Sequence, residues 1–127
     1  MHLPVTLTTA GLLGLVYFML SLRVVQVRTK LKVSLGHAGD ELLLSRIRAH
    51  ANFAEYVPLV LILLGAIELA VVSPWLWLIG LGLVVVRIAH AVGMALPAPN
   101  PFRIAGTAGT FVLMLAASIW AIAVAFS

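Results

Sequence analysis

The chain has 127 residues, of which 63% are hydrophobic and only 9% are charged, whereas a soluble domain carries about a quarter charged residues. No water-soluble fold of this length could bury so much apolar surface, so the composition excludes a soluble domain and indicates a single-domain integral membrane protein. The net charge of +4 comes without a soluble basic face, which argues against nucleic acid as a partner. The chain has no cysteine, which excludes disulfides and thiolate metal sites.

Four apolar segments, each near the ~20 residues that a spanning helix needs, predict four transmembrane helices. A polar connection from Gln26 to Ser45 separates the first two segments, and Ser73-Pro74 interrupts the pattern between the second and third. The proline-rich run 97–101 cannot continue a helix. Short connections make neighbouring helices antiparallel, so we expect an all-α, up-and-down four-helix bundle. The predicted helices are at about 3–25, 47–72, 75–96 and 103–126.

The positions of lysine and arginine predict the orientation of the bundle. The first connection and its flanks hold Arg28, Lys30, Lys32 and Arg46, and the second connection holds none. Arg103 follows the third connection almost at once. By the positive-inside rule, we expect the first and third connections in the cytoplasm and both termini outside.

A polar stripe opens the second predicted helix. At about 100° per residue, Asn52 and Glu55 lie within about 40° of Arg48, and Tyr56 lies about 80° away. These four side chains therefore share one face over two turns. Ionisable side chains within a membrane are costly, so the stripe is a candidate functional site.

A second polar group lies on the third predicted helix, where Arg87 and His90 share one face. Counted from the Ser73-Pro74 turn, they lie roughly 20–24 Å along the helix, close to the depth of Glu55 at roughly 27 Å. Arg23 and Arg103 belong to the same end of the bundle, and Arg23 is expected to end the first helix. The arginines at this end outnumber their acidic partner, Glu55, and this excess suits a ligand with two carboxylates and an amine.

Structural roles are the alternative for these residues. Arg23 and Arg103 could simply reach the lipid head groups, and the stripe could be a polar contact between helices. His2, His37 and His50 are predicted to be surface residues, because no metal-binding spacing joins them and no metal site is expected. Glu68 is interpreted as a membrane-interface residue near the second connection.

The segment RAHANFAEYVP, from Arg48 to Pro58, resembles the signature R-x-x-x-N-x-x-E-Y-x-P of the MAPEG family. These are the membrane-associated proteins in eicosanoid and glutathione metabolism. All five fixed positions match, near the start of the second of four helices, and the length and hydropathy are similar over the whole chain. The amino-acid sequence of the segment is most similar to that of the bacterial branch of inner-membrane members.

The resemblance implies a multi-pass homotrimer in a bacterial inner membrane, with glutathione bound between neighbouring subunits near the cytoplasmic face. Arg103 resembles the family arginine beside the thiol, where it would favour the nucleophilic thiolate. The better-known conjugating enzymes carry tyrosines on the third helix, where this chain has His90 and Met94. The implied glutathione contacts are Arg48, Asn52, Glu55 and Tyr56 of one subunit, Arg87 and His90 of its neighbour, and Arg23 or Arg28 at the other end of the ligand.

The implied activity is transfer of glutathione to a small hydrophobic electrophile that enters from the bilayer, together with reduction of lipid hydroperoxides. Two alternatives stay open. One is a member that binds the ligand without catalysis and serves as a scaffold. The other is a small multidrug-type transporter, also built from four helices around a membrane glutamate, although such a carboxylate does not normally lie among several arginines.

Overall fold

The structure is a computed structural model that describes residues 2–127, and within that range it contains four helices and no strand. All four helices are long and apolar enough to cross a membrane. The predicted all-α architecture with four membrane-spanning helices is therefore confirmed. The helices are α1 (Pro4–Leu31), α2 (Glu41–Ala70), α3 (Trp75–Ala95) and α4 (Pro101–Ala125).

The first two helices extend further into the polar connection than the sequence analysis placed them. Apolarity marks only the part of a helix that lies in lipid, whereas the glutamine, arginine and lysine residues that follow are also good helix formers. The α1 helix therefore runs to Leu31, and Arg23 lies inside it instead of ending it, which corrects that prediction. At the start of α2, the side chain of Asp40 accepts a hydrogen bond of 2.7 Å from the Leu43 backbone N–H.

The connection that remains, residues 32–40, is held by Arg28. Its Nη1 atom donates to the carbonyl oxygens of Ser34 at 3.3 Å and Gly36 at 2.9 Å. Gly36 and Gly39 have positive φ angles of 66° and 75°, a backbone conformation that glycine adopts without a Cβ penalty. Arg28 thus folds the connection back onto the end of α1.

The α2 and α3 helices form the central pair of the bundle. The α1 helix packs against both of them on one side and α4 packs against both on the other, so that within residues 2–127 α1 and α4 do not contact each other. The shared core contains Leu13, Leu64 and Leu83, which are almost fully buried. Large apolar side chains such as Ile62 and Val85 cover the outside, as expected of a surface that faces lipid.

Glycines bring α3 and α4 unusually close together at the end nearest the third connection. A Cβ on Gly106 would overlap the backbone of His90, and a Cβ on Gly93 would overlap the backbone of Arg103. Small residues at a helix contact let two backbones approach closely in a membrane. This contact sets the position of His90 relative to the first turn of α4.

Glu68 has a structural role that the sequence analysis missed. Its two carboxylate oxygens accept hydrogen bonds of 2.8 Å each from the backbone N–H groups of Val5 and Thr6. The first N–H groups of a helix have no partner within the helix, and a carboxylate there also interacts well with the helix dipole. Glu68 therefore caps α1 from α2, a role that adds to its interpretation as a membrane-interface residue.

Candidate functional site

A buried arginine connects three helices in the half of the bundle nearest the first and third connections. Arg87 on α3 is only 1% exposed. Its Nη2 atom donates to Asn52 Oδ1 on α2 at 2.9 Å, and its Nη1 atom donates to Thr110 Oγ1 on α4 at 3.3 Å. The guanidinium carbon also lies 5.6 Å from the centre of the Phe53 ring. We call Arg87, Asn52, His90 and Thr110 the inner cluster.

The inner cluster holds a positive charge without a carboxylate. His90, 3% exposed, places Nδ1 3.3 Å from Arg87 Nη2, and Asn52 and Thr110 are neutral. Within residues 2–127, the Nε atom of Arg87 is buried and has no hydrogen-bond partner. A buried charge without an opposite charge is costly, so this arrangement favours an anion nearby.

Arg87 and His90 lie beside the polar stripe of their own chain. The hydrogen bond from Arg87 goes to Asn52 of the same chain, because α2 and α3 are adjacent within one bundle. The sequence analysis expected these two residues to contact a ligand that the α2 stripe of another subunit also binds, and that arrangement stays a prediction.

The polar stripe of α2 divides into an inward and an outward part. Asn52 faces inward, towards Arg87. Tyr56 is half-buried, and its ring lies edge-on to Phe111 of α4 with the ring centres 5.3 Å apart. Arg48 and Glu55 point outward, with Nη1 and Oε1 3.7 Å apart and side chains that are 56% and 44% exposed. We call Arg48 and Glu55 the outer pair.

Arg103 lies on the α4 side of the inner cluster, beside an apolar groove. Its backbone N–H donates to the side chain of Asn100, the N-cap of α4, at 2.9 Å. The groove, about 490 Å³ in volume, runs along α4 from Asn100 past Ile104 to Phe111. Because Phe111 also contacts Tyr56, the groove and the polar stripe meet at these two rings.

Arg23 and Arg28, the other two predicted ligand contacts, lie away from the inner cluster. Arg28 holds the first connection, as described above. Arg23 lines a different cavity, between α1, α2 and α3. Neither forms a hydrogen bond or ion pair with the stripe residues within the described part of the chain. The structure therefore brings together Asn52, Tyr56, Arg87 and His90, with Arg103 at the edge, and does not bring Arg23 or Arg28 to them.

Three residues that the sequence analysis did not assign to a site complete it. Thr110 is a polar residue in an otherwise apolar helix, and that contrast was a usable signal. Phe53 and Phe111 gave no such signal, because aromatic residues in a membrane helix are usually packing residues. Their positions against Arg87 and Tyr56 depend on how the helices pack.

His50 is half-buried against α1 instead of fully exposed, which corrects its prediction as a surface residue. Its ring stacks on Tyr17 of α1 with the ring centres 4.5 Å apart, and its Nε2 atom lies 3.1 Å from Ser21 Oγ. It therefore contributes to the α1–α2 contact, on the opposite side of α2 from the inner cluster.

Comparison with known proteins agrees with this architecture. Neither the curated proteins nor the solved structures give a match. The sequence model of the MAPEG family does match the chain, over residues 6–123. That range includes α2 and α3, nearly all of α1 and α4, and every residue of the inner cluster and outer pair. It sets aside the small multidrug-type transporter. The chain is therefore a multi-pass membrane protein that belongs to the MAPEG family, whose members act in eicosanoid and glutathione metabolism.

Proposed function

We propose that the protein is a membrane glutathione transferase. The observation that carries the proposal is the buried guanidinium of Arg87, which has neutral partners and one buried N–H without a partner. Glutathione carries two carboxylates and an ammonium, so it would supply the missing anion. The proposed contacts are Arg48, Asn52, Glu55, Tyr56, Arg87 and His90.

The outer pair supports a homotrimer with glutathione bound between subunits. Glu55 lies about 22 Å along α2 from Ala70, within a hydrocarbon layer of about 30 Å, and Arg48 lies near its boundary at roughly 33 Å. Both side chains are substantially exposed in a single subunit. Charges exposed to lipid at this depth are costly, so a neighbouring subunit would cover them. The ligand's ammonium would contact Glu55 and a carboxylate would contact Arg48, because a guanidinium holds a carboxylate through two parallel hydrogen bonds.

The groove beside Arg103 supports transfer to a hydrophobic electrophile. In the proposed reaction, Arg103 stabilises the glutathione thiolate, the sulfur attacks an electrophilic carbon, and the leaving group departs with its electron pair. The electrophile enters the groove from the bilayer, because its lining is mostly apolar. The same thiolate could reduce a lipid hydroperoxide, with a second glutathione giving the disulfide, an alcohol and water.

The proposed location is a bacterial inner membrane with the first and third connections in the cytoplasm, where glutathione is abundant. The charge distribution supports this orientation, since Arg28, Lys30, Lys32 and Arg46 all lie around the first connection. The inner cluster and Arg103 lie at that same end of the bundle.

Calorimetric titration of the purified oligomer with glutathione tests the proposal. Arg48→Ala should weaken binding by roughly 10- to 100-fold, because it removes a charged hydrogen-bonded contact. Arg48→Lys should restore only part of the affinity, since an ammonium lacks the planar fork. Lys30→Ala, which removes an exposed charge at the end of α1, is the matched control and should bind like the parent. Absence of binding by the parent at millimolar glutathione would overturn the proposal.

A second candidate, ligand binding without catalysis, is favoured by Met94. This residue stands where the conjugating enzymes carry a tyrosine, and its side chain lines the cavity between α1, α2 and α3 instead of the inner cluster. It brings no hydroxyl to the thiol. Turnover of 1-chloro-2,4-dinitrobenzene separates the two candidates, because a scaffold would bind glutathione and leave the electrophile unchanged.

A further inference from the structure

The side of the bundle opposite to α4 carries a cavity that the proposed glutathione site does not use. The cavity has a volume of about 400 Å³ and lies between α1, the start of α2 and the end of α3. Its polar lining comes from Arg23, Arg46, Glu41 and Ser45, and none of the outer pair or inner cluster contributes to it. We call it the α1–α3 cavity.

Two guanidinium groups in this cavity have free donors. Arg46 donates from Nη1 to the carbonyl oxygen of Arg23 at 2.8 Å, which fixes its position. Its Nε atom is buried and has no partner within residues 2–127. The guanidinium of Arg23 likewise forms no hydrogen bond or ion pair in the described part of the chain. Against these two positive charges the lining offers one carboxylate, Glu41, so the cavity has a net positive charge.

An apolar groove continues from this cavity along the outside of the bundle. The groove, about 330 Å³ in volume, runs between α1 and α3 and shares Leu20, Arg23 and Ala91 with the cavity. Its other walls are Leu15, Val16, Met19, Ile88 and Val92, all of them apolar. The α1–α3 cavity thus continues directly into an apolar groove on the outside of the bundle.

The dimensions place this pair of spaces across one leaflet. Counting from Pro4 at about 1.5 Å per residue, Arg23 lies roughly 28 Å along α1, near the boundary of a hydrocarbon layer of about 30 Å. Leu15 lies roughly 16 Å along the helix, close to the bilayer centre. The charged end is therefore at head-group level, and the apolar end reaches the depth where an acyl chain ends.

From this arrangement we propose that each subunit binds one single-chain lipid with an anionic head group. The head group lies in the α1–α3 cavity, where it accepts hydrogen bonds from the guanidinium groups of Arg46 and Arg23. The acyl chain lies in the groove between α1 and α3. Guanidinium groups bind phosphate or carboxylate oxygens through directed hydrogen bonds, which a neutral head group cannot match. The site is independent of glutathione binding.

Native mass spectrometry in a neutral maltoside detergent tests the proposal, with oleoyl lysophosphatidic acid as the probe. The parent should bind about one molecule per subunit at saturation. Monoolein, which has the same chain and a neutral head group, should bind at least about 10-fold more weakly. Equal binding of the two lipids would overturn the head-group assignment.

Variants test the two ends of the site separately. Arg46→Gln should weaken binding of the probe by about 10- to 100-fold, whereas Lys30→Gln, outside the cavity, should leave it unchanged. Ile88→Trp fills the groove from its exposed side and should also weaken binding. Val85→Trp is its control, because Val85 is also exposed on α3 but lies outside the groove. Glutathione affinity should be unchanged in Arg46→Gln and Ile88→Trp, which separates this site from the proposed transferase site.

Two outcomes of these measurements would overturn the lipid site, whatever its affinity. If the Lys30 and Val85 controls weaken binding as much as their partners, the lipid is only part of a nonspecific annulus and the proposal fails. It also fails if inorganic phosphate displaces the probe as effectively as another anionic single-chain lipid does, since the acyl chain would then contribute nothing to binding.

Discussion

Arg87 and Arg48 lie in the same half of the bundle but have opposite environments. Arg87 is buried between three helices and is held by neutral partners, whereas Arg48 is half exposed and pairs with a carboxylate. The buried arginine is part of the architecture of a single subunit. The exposed pair would be covered by a neighbouring subunit in the proposed trimer. The difference shows that a single subunit satisfies the inner cluster, whereas the outer pair depends on what packs against it.

Removal of the inner arginine should have the largest effect on stability. Arg87→Ala leaves Asn52 and Thr110 without their donor and opens a cavity, so the free energy of unfolding should fall by about 3 kcal/mol. Chemical unfolding in detergent, followed by circular dichroism, measures this change. Arg87→Lys should recover only part of the loss, because a single ammonium cannot reach both partners in the same geometry. An unchanged unfolding midpoint in Arg87→Ala would contradict the structural role given to the inner cluster.

Separating α3 from α4 should lower the free energy of unfolding by a somewhat smaller amount. Gly106→Ala places a Cβ against the backbone of His90, and overpacking of this kind costs about 1–3 kcal/mol. Gly11→Ala is the matched control, because nothing lies within 4 Å of the Cβ it adds to α1. The control should be neutral or slightly stabilising, since alanine favours a helix over glycine by up to about 1 kcal/mol. Equal melting temperatures for the two variants would show that the close helix contact is not needed.

The outer arginine should matter least for the stability of one subunit. Arg48→Ala removes a partly exposed ion pair, and such pairs contribute about 0–1 kcal/mol. The same variant should show its effect in assembly instead, as a smaller trimer fraction in native mass spectrometry. If Arg48→Ala destabilised the subunit as much as Arg87→Ala, the distinction between the inner cluster and the outer pair would be lost.

Much of the site was predictable because its residues lie on single helices. The periodicity of 3.6 residues per turn places Arg48, Asn52 and Glu55 on one face, and the signature that they form with Tyr56 and Pro58 indicates the family. What periodicity cannot show is which part of that face turns inward. The angle between Arg48 and Asn52 around the helix is small. Asn52 is nevertheless covered by α3 and Arg48 is exposed, because the edge of the α2–α3 contact falls between them.

The helix ends and the roles of single polar residues were harder to predict. Hydropathy detects the lipid-exposed length of a helix, so it could not locate the end of α1 at Leu31 or the start of α2 at Glu41. Glu68 looked like an interface residue because its partners, the backbone N–H groups of Val5 and Thr6, are more than 60 positions away in the chain.

By itself, the sequence determined the membrane location, the number of helices and the family, because each depends on composition or on spacing along one helix. Only the tertiary structure decided that Arg87 bonds within its own chain, that Arg23 belongs to a separate cavity, and that His50 packs on Tyr17. These facts depend on the rotation and separation of α2, α3 and their neighbours. The close contacts that set that geometry, such as Gly106 against His90, join residues on different helices, and no local pattern records them.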